Sequence, residues 1–422
     1  MTMQPQSPGG GPQPDHPPGF GWSVLVAAIV LGWWLLSLSW PKLWGVLGVS
    51  ALPPHFQDMA AVLASSEAKA AGLDPFLPNP LDSLNRPHVY GPWWLGLASW
   101  GFTRADAWWL GAGCVISFIG VCVGLVRPAD RWRAGMLLLL MMSPPVMLAL
   151  ERANNDLVVF LLLAGAGGAL LRGGGPAVAL ATLAVVVAAA LKFYPMVALP
   201  VLVMACPGRR GWKLFGGGLL LCGLIGVVWH EDITRAFQVV PQPRIIDTVG
   251  LRSFVDCWGF PTVVRPALMV GWLSGGAGSA YVLWRATGRG CADDSARGIP
   301  VFFALGALAW LACYVVNTNF LYRQVLLLLP AVQWFREWGS SSHGALAKTQ
   351  LGLLAVASWA WMPWGWLAAT TQVGEDVPVV IFWILTGVAQ GCMLGLTLKM
   401  GERLWREFAG LGLFASSGPE SV

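Results

Sequence analysis

The sequence predicts an all-α integral membrane protein: a bundle of about 11–12 transmembrane segments, several short or broken, with one long external loop after the first. Three observations predict it. The 422 residues are 56% hydrophobic and only 11% charged, with a mean hydropathy of +0.63, well under the roughly 25% charge of a soluble domain. Apolar windows of about twenty residues, enough to cross a hydrocarbon core, recur along the whole chain. Between the first two windows lies a polar, proline-studded stretch, "HFQDMAAVLASSEAKAAGLDPFLPNPLDSLNRPHVYGPWW" (55–94).

Residues 1–20 are rich in proline and glycine and hold no lysine or arginine. They read as a disordered cytoplasmic tail, and with no basic leader the first apolar run is expected to stay as a helix. That run, about 21–40, opens a single polytopic domain spanning 21–406, and 407–422 read as a second cytoplasmic tail. Further windows fall near 105–126, 135–150, 156–171, 176–191, 195–206, 213–229, 262–285, 299–316, 321–335, 349–370 and 377–398. The windows 135–150 and 195–206 are short, and "SPP" (143–145) breaks the first. Broken helices in a membrane are tolerated where they line a protein cavity, so these two places predict a site.

With the N-terminus in the cytoplasm, the short loops 127–133, 208–213, 285–297, 336–348 and 399–406, with Arg172, carry fifteen of the 26 basic residues. This is the positive-inside pattern, expected with both termini in the cytoplasm. The external face then receives the long loops 41–91 and 230–261 and four polar islands: "FQD" (56–58), "ERANND" (151–156), "LKFYP" (191–195) and "NFLYRQ" (319–324). Arg152, Lys192, Arg252 and Arg323 stand singly beside apolar helix ends. Each could snorkel to lipid phosphates, but an ionisable group at such a place marks a site by default. The eight cysteines are scattered without a Cys-x-x-Cys pair, so they predict small buried hydrophobes, with neither a disulfide frame nor a metal site.

The order of these islands resembles the polytopic membrane glycosyltransferases of the C-type fold, glycosyltransferase family 87 in particular. The matching residues are Asp58, "GLDPF" (72–76), "RPHVYGPWW" (86–94), "ERANNDLVVFLLLAGA" (151–166), "ALKFYPMVALPVLV" (190–203) and "YRQVLLLLPAV" (322–332). Three places depart from the family pattern: Phe76 replaces a common tyrosine, Gly91-Pro92 a double proline, and "RANND" a Gly-Gln-x-Asn run.

The resemblance implies a C-type bundle that transfers a hexose, mannose above all, from a polyprenyl-phosphate donor to a lipid-linked or envelope-glycan acceptor. It makes Asp58 the general base that takes the proton of the acceptor hydroxyl. The alternative reading of Asp58 is the N-cap of the helix "MAAVLASSEAKAAG". Asp74 and Asp82 read as Asx-turn residues.

A leaving lipid phosphate needs fixed cations, for which Lys192 and Arg323 stand first and Arg152 and Arg252 behind. Asn154, Asn155 and Asp156 exceed what one helix cap requires, and they are expected to hydrogen-bond sugar, with His88, Tyr90 and Tyr322 as further substrate contacts. With neither His-x-x-x-His nor Asp-x-Asp on the external face, no metal and no cofactor is expected beyond the lipid-phosphate co-substrate. Membrane lipids are the other partners, and no nucleic acid is implied. A transporter or flippase of an amphiphile would also want external arginines and broken helices, but would carry polar residues deep in windows on both faces. A non-enzymatic scaffold would leave the one-sided islands unexplained.

Overall fold

The computed structural model describes residues 20–206, 208–241, 248–251, 300–315, 319–363 and 379–410. Among them the fold is all-helical, with one isolated antiparallel bridge between Thr248 and Phe320. The helices are α1 (Phe20–Ser39), α2 (Lys42–Val46), α3 (Gln57–Ala70), α4 (Ala107–Val126), α5 (Arg131–Met141), α6 (Pro144–Arg152), α7 (Asn155–Arg172), α8 (Gly175–Leu191), α9 (Val201–Ala205), α10 (Arg209–Val228), α11 (His230–Gln238), α12 (Val301–Val315), α13 (Leu328–Glu337), α14 (Gly344–Trp359) and α15 (Val379–Gly410).

Four helices among the described residues are long and apolar enough to cross a membrane: α1, α4 with its lead-in from Arg104, α7 and α10. The pair α5 and α6 makes a fifth, bent by 57°. The bend falls at "SPP", where Ser143 is extended and Pro144 occupies the first helical position, as the clash of a proline ring with the preceding residue dictates. The windows 176–191, 195–206 and 299–316 fold as shorter apolar helices, and 321–335 starts as a 3-10 turn (Leu321–Leu327) before α13. The described residues therefore hold fewer full-length spans than the windows imply. Apolar runs measure burial, and here much of that burial is in protein: α12 is buried along most of its length, with Phe303 and Trp310 fully covered, and α8 buries one face while Leu180 and Leu183 stay exposed. The window 262–285 and half of the loop 230–261 lie outside the described residues, as does Arg252; the C-terminal helix runs on to Gly410, past the boundary drawn at 406.

The ends of the bundle segregate by chemistry. At one end Arg403 donates to Glu337 at 2.9 and 2.6 Å, Gly339 approaches Arg133, and Gly175 approaches Arg210. The other end receives the C-terminus of α6, the N-terminus of α7 and the C-terminus of α8, together with the 319–324 turn.

The first loop is folded into the protein. Instead of lying on the bilayer surface, α3 is buried along most of its length, including Val62, Leu63, Ser65 and Ser66. The apolar "PWWLGLASW" (Pro92–Trp100) forms a 3-10 segment on top of it, where Ser66 Oγ donates to Leu95 O at 3.0 Å and accepts from Ala98 N at 2.7 Å. Small residues on α3 permit this close packing.

Candidate functional site

The site is assembled where the first loop meets the α6–α7 corner. Leu52 N donates to Glu151 Oε1 at 2.9 Å and Phe56 N donates to Glu151 O at 3.2 Å. Phe56 adopts a left-handed backbone, φ 63°. Its ring is fully buried against Trp34 and Trp108, with centroids at 6.2 and 5.3 Å. Gly111 leaves the room: a Cβ there would lie 2.6 Å from the Phe56 ring. That anchor starts α3 at Gln57 and sets Asp58 in its first turn.

Asp58 is not the helix cap. Phe56 holds that position without a side-chain bond, and the Asp58 carboxylate, 3% exposed, takes side-chain partners instead. Oδ1 accepts from Arg86 Nη1 at 2.9 Å and Oδ2 accepts from Asn154 Nδ2 at 2.5 Å. Each carboxylate oxygen has two acceptor sites, so one on each remains. Arg86 is itself gripped by Asp82, Nε to Oδ2 at 2.9 Å and Nη2 to Oδ1 at 3.0 Å, while Nη2 also donates to Gln57 O at 2.7 Å. Such a fork is what a planar guanidinium supplies and a lysine does not. Asp82 closes its own turn by accepting from Leu84 N and Arg86 N.

A second centre adjoins the first. Asn154 is the N-cap of α7, its Oδ1 accepting from Asp156 N at 2.9 Å, so one asparagine touches Asp58 and caps the helix that carries Asp156. Asp156, fully buried, accepts from Tyr194 Oη at 2.6 Å and pairs with Lys192 Nζ at 2.9 Å; Arg323 Nε lies at 3.8 Å. Lys192 is 4% exposed, so it points into the protein and does not snorkel. Its Nζ also sits 5.1 Å from the Tyr90 ring centre and 5.7 Å from that of Tyr322, and Arg323 lies over Tyr194 at 5.4 Å, within cation–π range.

The loop carrying Tyr90 is docked on the end of α8. Gly91 N and Trp94 Nε1 both donate to Leu191 O, at 2.9 and 3.2 Å. The approach demands glycine, since a Cβ at position 91 would lie 1.9 Å from Ala190 O. Tyr90 feels both centres: burial, then the Asp58 carboxylate, push its phenol above the usual value, with Asp156 adding and Arg86 and Arg323 opposing.

With ordinary ionisation, the first centre holds Asp58 and Asp82 against Arg86, an anion in excess. The second holds Lys192 and Arg323 against Asp156, a cation in excess. A carboxylate held by Arg86 and Asn154 thus stands one asparagine away from a net-positive cluster, the pairing that proton abstraction next to a departing anion requires.

The remaining residues fall into place as follows. Asn155 is fully buried and neither its amide nitrogen nor its carbonyl oxygen has a hydrogen-bond partner, a state that in a folded protein calls for a ligand or water. Tyr322 stacks on Phe320 at 5.4 Å. Arg152 faces Glu151, Nε to Oε2 at 3.8 Å, away from the Asp156 centre. His88 turns out to be loop architecture: its backbone N donates to Pro75 O at 2.7 Å and its Nε2 lies 3.2 Å from Gly91 O. Burial pushes its imidazole down to about 4, so the neutral ring donates there. Asp74 accepts from Phe76 N and from Arg235 on α11, which holds its carboxyl below the usual range. Arg86, Tyr194 and Gly91 carry contacts that the sequence did not assign. The only local signal for Arg86 was its spacing of four from Asp82.

Among the described residues no group of three or more His, Cys, Asp or Glu is placed to hold a metal ion. No protein-family model matches the chain, and neither the curated proteins nor the solved structures contain a match.

Proposed function

We propose that the chain is a membrane glycosyltransferase of the C-type kind, moving a hexose, mannose first among candidates, from a polyprenyl-phosphate donor to a lipid-linked or envelope-glycan acceptor. One observation carries the reading: the Asp58 centre, with its excess anion, abuts the Lys192–Asp156–Arg323 centre, with its excess cation, through Asn154. The polar face of the bundle would be the external side of the plasma membrane, and the basic loops the cytoplasmic side.

In this mechanism the acceptor hydroxyl oxygen attacks the anomeric carbon. The bond from that carbon to the phosphate oxygen breaks, and its electron pair leaves with the phosphate. The hydroxyl proton passes to Asp58, whose carboxylate Arg86 and Asn154 hold in one orientation, so that little rearrangement is needed at the moment of transfer. Lys192 and Arg323 offset the charge that grows on the phosphate, while Asp156 and Tyr194 keep them in position. Asn155 offers an unpaired donor and acceptor to sugar hydroxyls.

The test is transfer of radiolabelled mannose from polyprenyl-phosphate-mannose into lipid extract, using membranes with equal amounts of wild type or Asp58→Asn. Transfer by the wild type that vanishes in the variant supports both class and base. Equal transfer by both keeps the class and rejects the base. Transfer by neither, with several polyprenyl-phosphate sugars tried, shifts the reading to a transporter or flippase, to be followed by lipid scrambling in vesicles.

A further inference from the structure

A cleft of about 580 Å³ opens on the side of the first loop away from Lys192, within the roughly 300–1,000 Å³ of ordinary ligand sites. Its walls come from three separated stretches: Pro41, Ala51 and Pro53 to His55 after α1, Leu81 to Ser83 in the loop, and Arg104, Ala105, Ala107 and Trp108 at the head of α4. Ala60 of α3 forms part of the floor. At 100° per residue, Ala60 and Asp58 lie about 200° apart around that helix. The helix that carries Asp58 on one side therefore shows its other side to the cleft.

The walls are mostly apolar, with three prolines, several alanines and the Trp108 ring. They continue a lipid-facing surface. Helices α1 and α4 qualify as spans yet bury few of their own residues, exposing Leu25, Ile29, Leu35, Leu36 and Ile116. Those stripes run to Trp40 and Trp108, both more than half exposed, the belt position of membrane tryptophans, and the cleft begins there. Charge at its rim is balanced. Arg104 Nε donates to Glu67 at 2.7 Å, and Asp82 is matched by Arg86. A headgroup with surplus negative charge would find Glu67 beside Arg104 and only that compensated arginine in its favour.

We infer that this cleft holds one hydrocarbon chain of a bilayer phospholipid whose zwitterionic headgroup rests at the exposed Arg104–Glu67 pair, packing against the back of the helix that carries Asp58. The lipid is a structural ligand of the first loop. The inference does not rest on the glycosyltransferase reading, because it concerns the opposite side of α3.

The full chain is reconstituted in nanodiscs of phosphatidylcholine containing a small fraction of phosphatidylcholine with a diazirine in its acyl chain. After illumination, labelled peptides are mapped by mass spectrometry. Adducts on Pro53 to His55 and Ala105 to Trp108 are expected, alongside those on the exposed α10 residues Leu220 and Val227, which serve as the reference. Ala105 is exposed, so A105W is a mild change that fills the cleft. It is expected to cut the cleft adducts roughly tenfold, as overpacking an occupied site does, while leaving the α10 adducts unchanged. Excess unlabelled phosphatidylcholine should also displace the cleft label better than phosphatidylglycerol does. Labelling of α10 without the cleft, cleft labelling indifferent to A105W, or stronger displacement by phosphatidylglycerol each overturns the inference. Should A105W fail to fold, the wild-type map and the competition decide alone.

Discussion

Replacing Asp156 by asparagine tests the second centre most directly, because it removes a charge and almost no volume. Lys192 Nζ lies 2.9 Å away, a separation worth ~6 kcal/mol of attraction at an effective dielectric constant of about 20. Arg323 at 3.8 Å adds ~4 kcal/mol on the same scale. Most of this offsets the desolvation of groups that are at or near zero exposure. The net loss on breaking such a pair is therefore set by the cations left behind, about 3–5 kcal/mol. The hydrogen bond from Tyr194 survives in Asp156→Asn, since the amide oxygen still accepts, and does not contribute to the loss. Lys192→Met leaves Asp156 with Arg323 and Tyr194 and is expected to lose less. The double variant should lose less than the sum of the singles, by about 1–3 kcal/mol of coupling. The assay is reversible unfolding in mixed micelles, read by tryptophan fluorescence for all four members of the cycle. If Asp156→Asn stays within about 0.5 kcal/mol of the wild type, or the two losses simply add, Lys192 is not neutralised by Asp156 and the argument for a buried positive centre fails.

Arg86→Lys keeps the charge but cannot reproduce the fork to Asp82 together with the bond to Asp58; a stability loss of about 1.5–3 kcal/mol is expected, with mannosyl transfer falling towards that of Asp58→Asn. Gly91→Ala drives a methyl group into Ala190 O; because that atom is backbone, the loop must lift, and unfolding should show a loss of about 2–4 kcal/mol. The structure also dictates a pH dependence. Burial holds His88 down at about 4 against an ordinary 6.5, so below 6.5 the unfolded chain binds a proton that the folded chain refuses. Stability is then complete above about pH 6.5 and falls by roughly 3 kcal/mol as the pH drops to 4. Unfolding followed from pH 7.5 to 4.5 should lose much of this slope in His88→Gln.

Much of the site was legible because charge in an oily chain stands out. Asn154, Asp156, Lys192 and Arg323 each border an apolar window, whereas Asp58 stands in the polar first loop and was singled out by the resemblance, and the structure brings all five together. Arg86 was missed because it stands inside a polar loop, where one more cation carries no signal and Asp58, the carboxylate it holds, is 28 residues away. His88 shows the complementary difficulty: a loop histidine looks available in sequence, and only packing reveals that it bonds to its own turn. The helical class followed from hydropathy, but the number of spans did not. A run such as 176–191 is equally apolar whether lipid or α7 covers it, and nothing in a hydropathy window distinguishes the two. The seating of α3 rests on the left-handed Phe56 and on space left by Gly111, tertiary features with no local pattern.

The docking of the first loop on the α6–α8 corner also imposes an order on biogenesis. Three contacts that seat the loop come from much later in the chain: Glu151 binds Leu52, Asn154 binds Asp58, and Leu191 binds Gly91, separations of 96 to 100 residues. Ribosomes add about 5–20 residues per second, so the loop emerges several seconds before its partners do. During that interval it must wait outside the bilayer with its buried polar groups in water. Protease should therefore cut residues 57–90 in nascent chains halted at 150 and spare them in chains halted beyond 240; protection at the shorter length would contradict this order. A chaperone or neighbouring protein acting on the newly made chain would meet this loop first, while it is still unfolded.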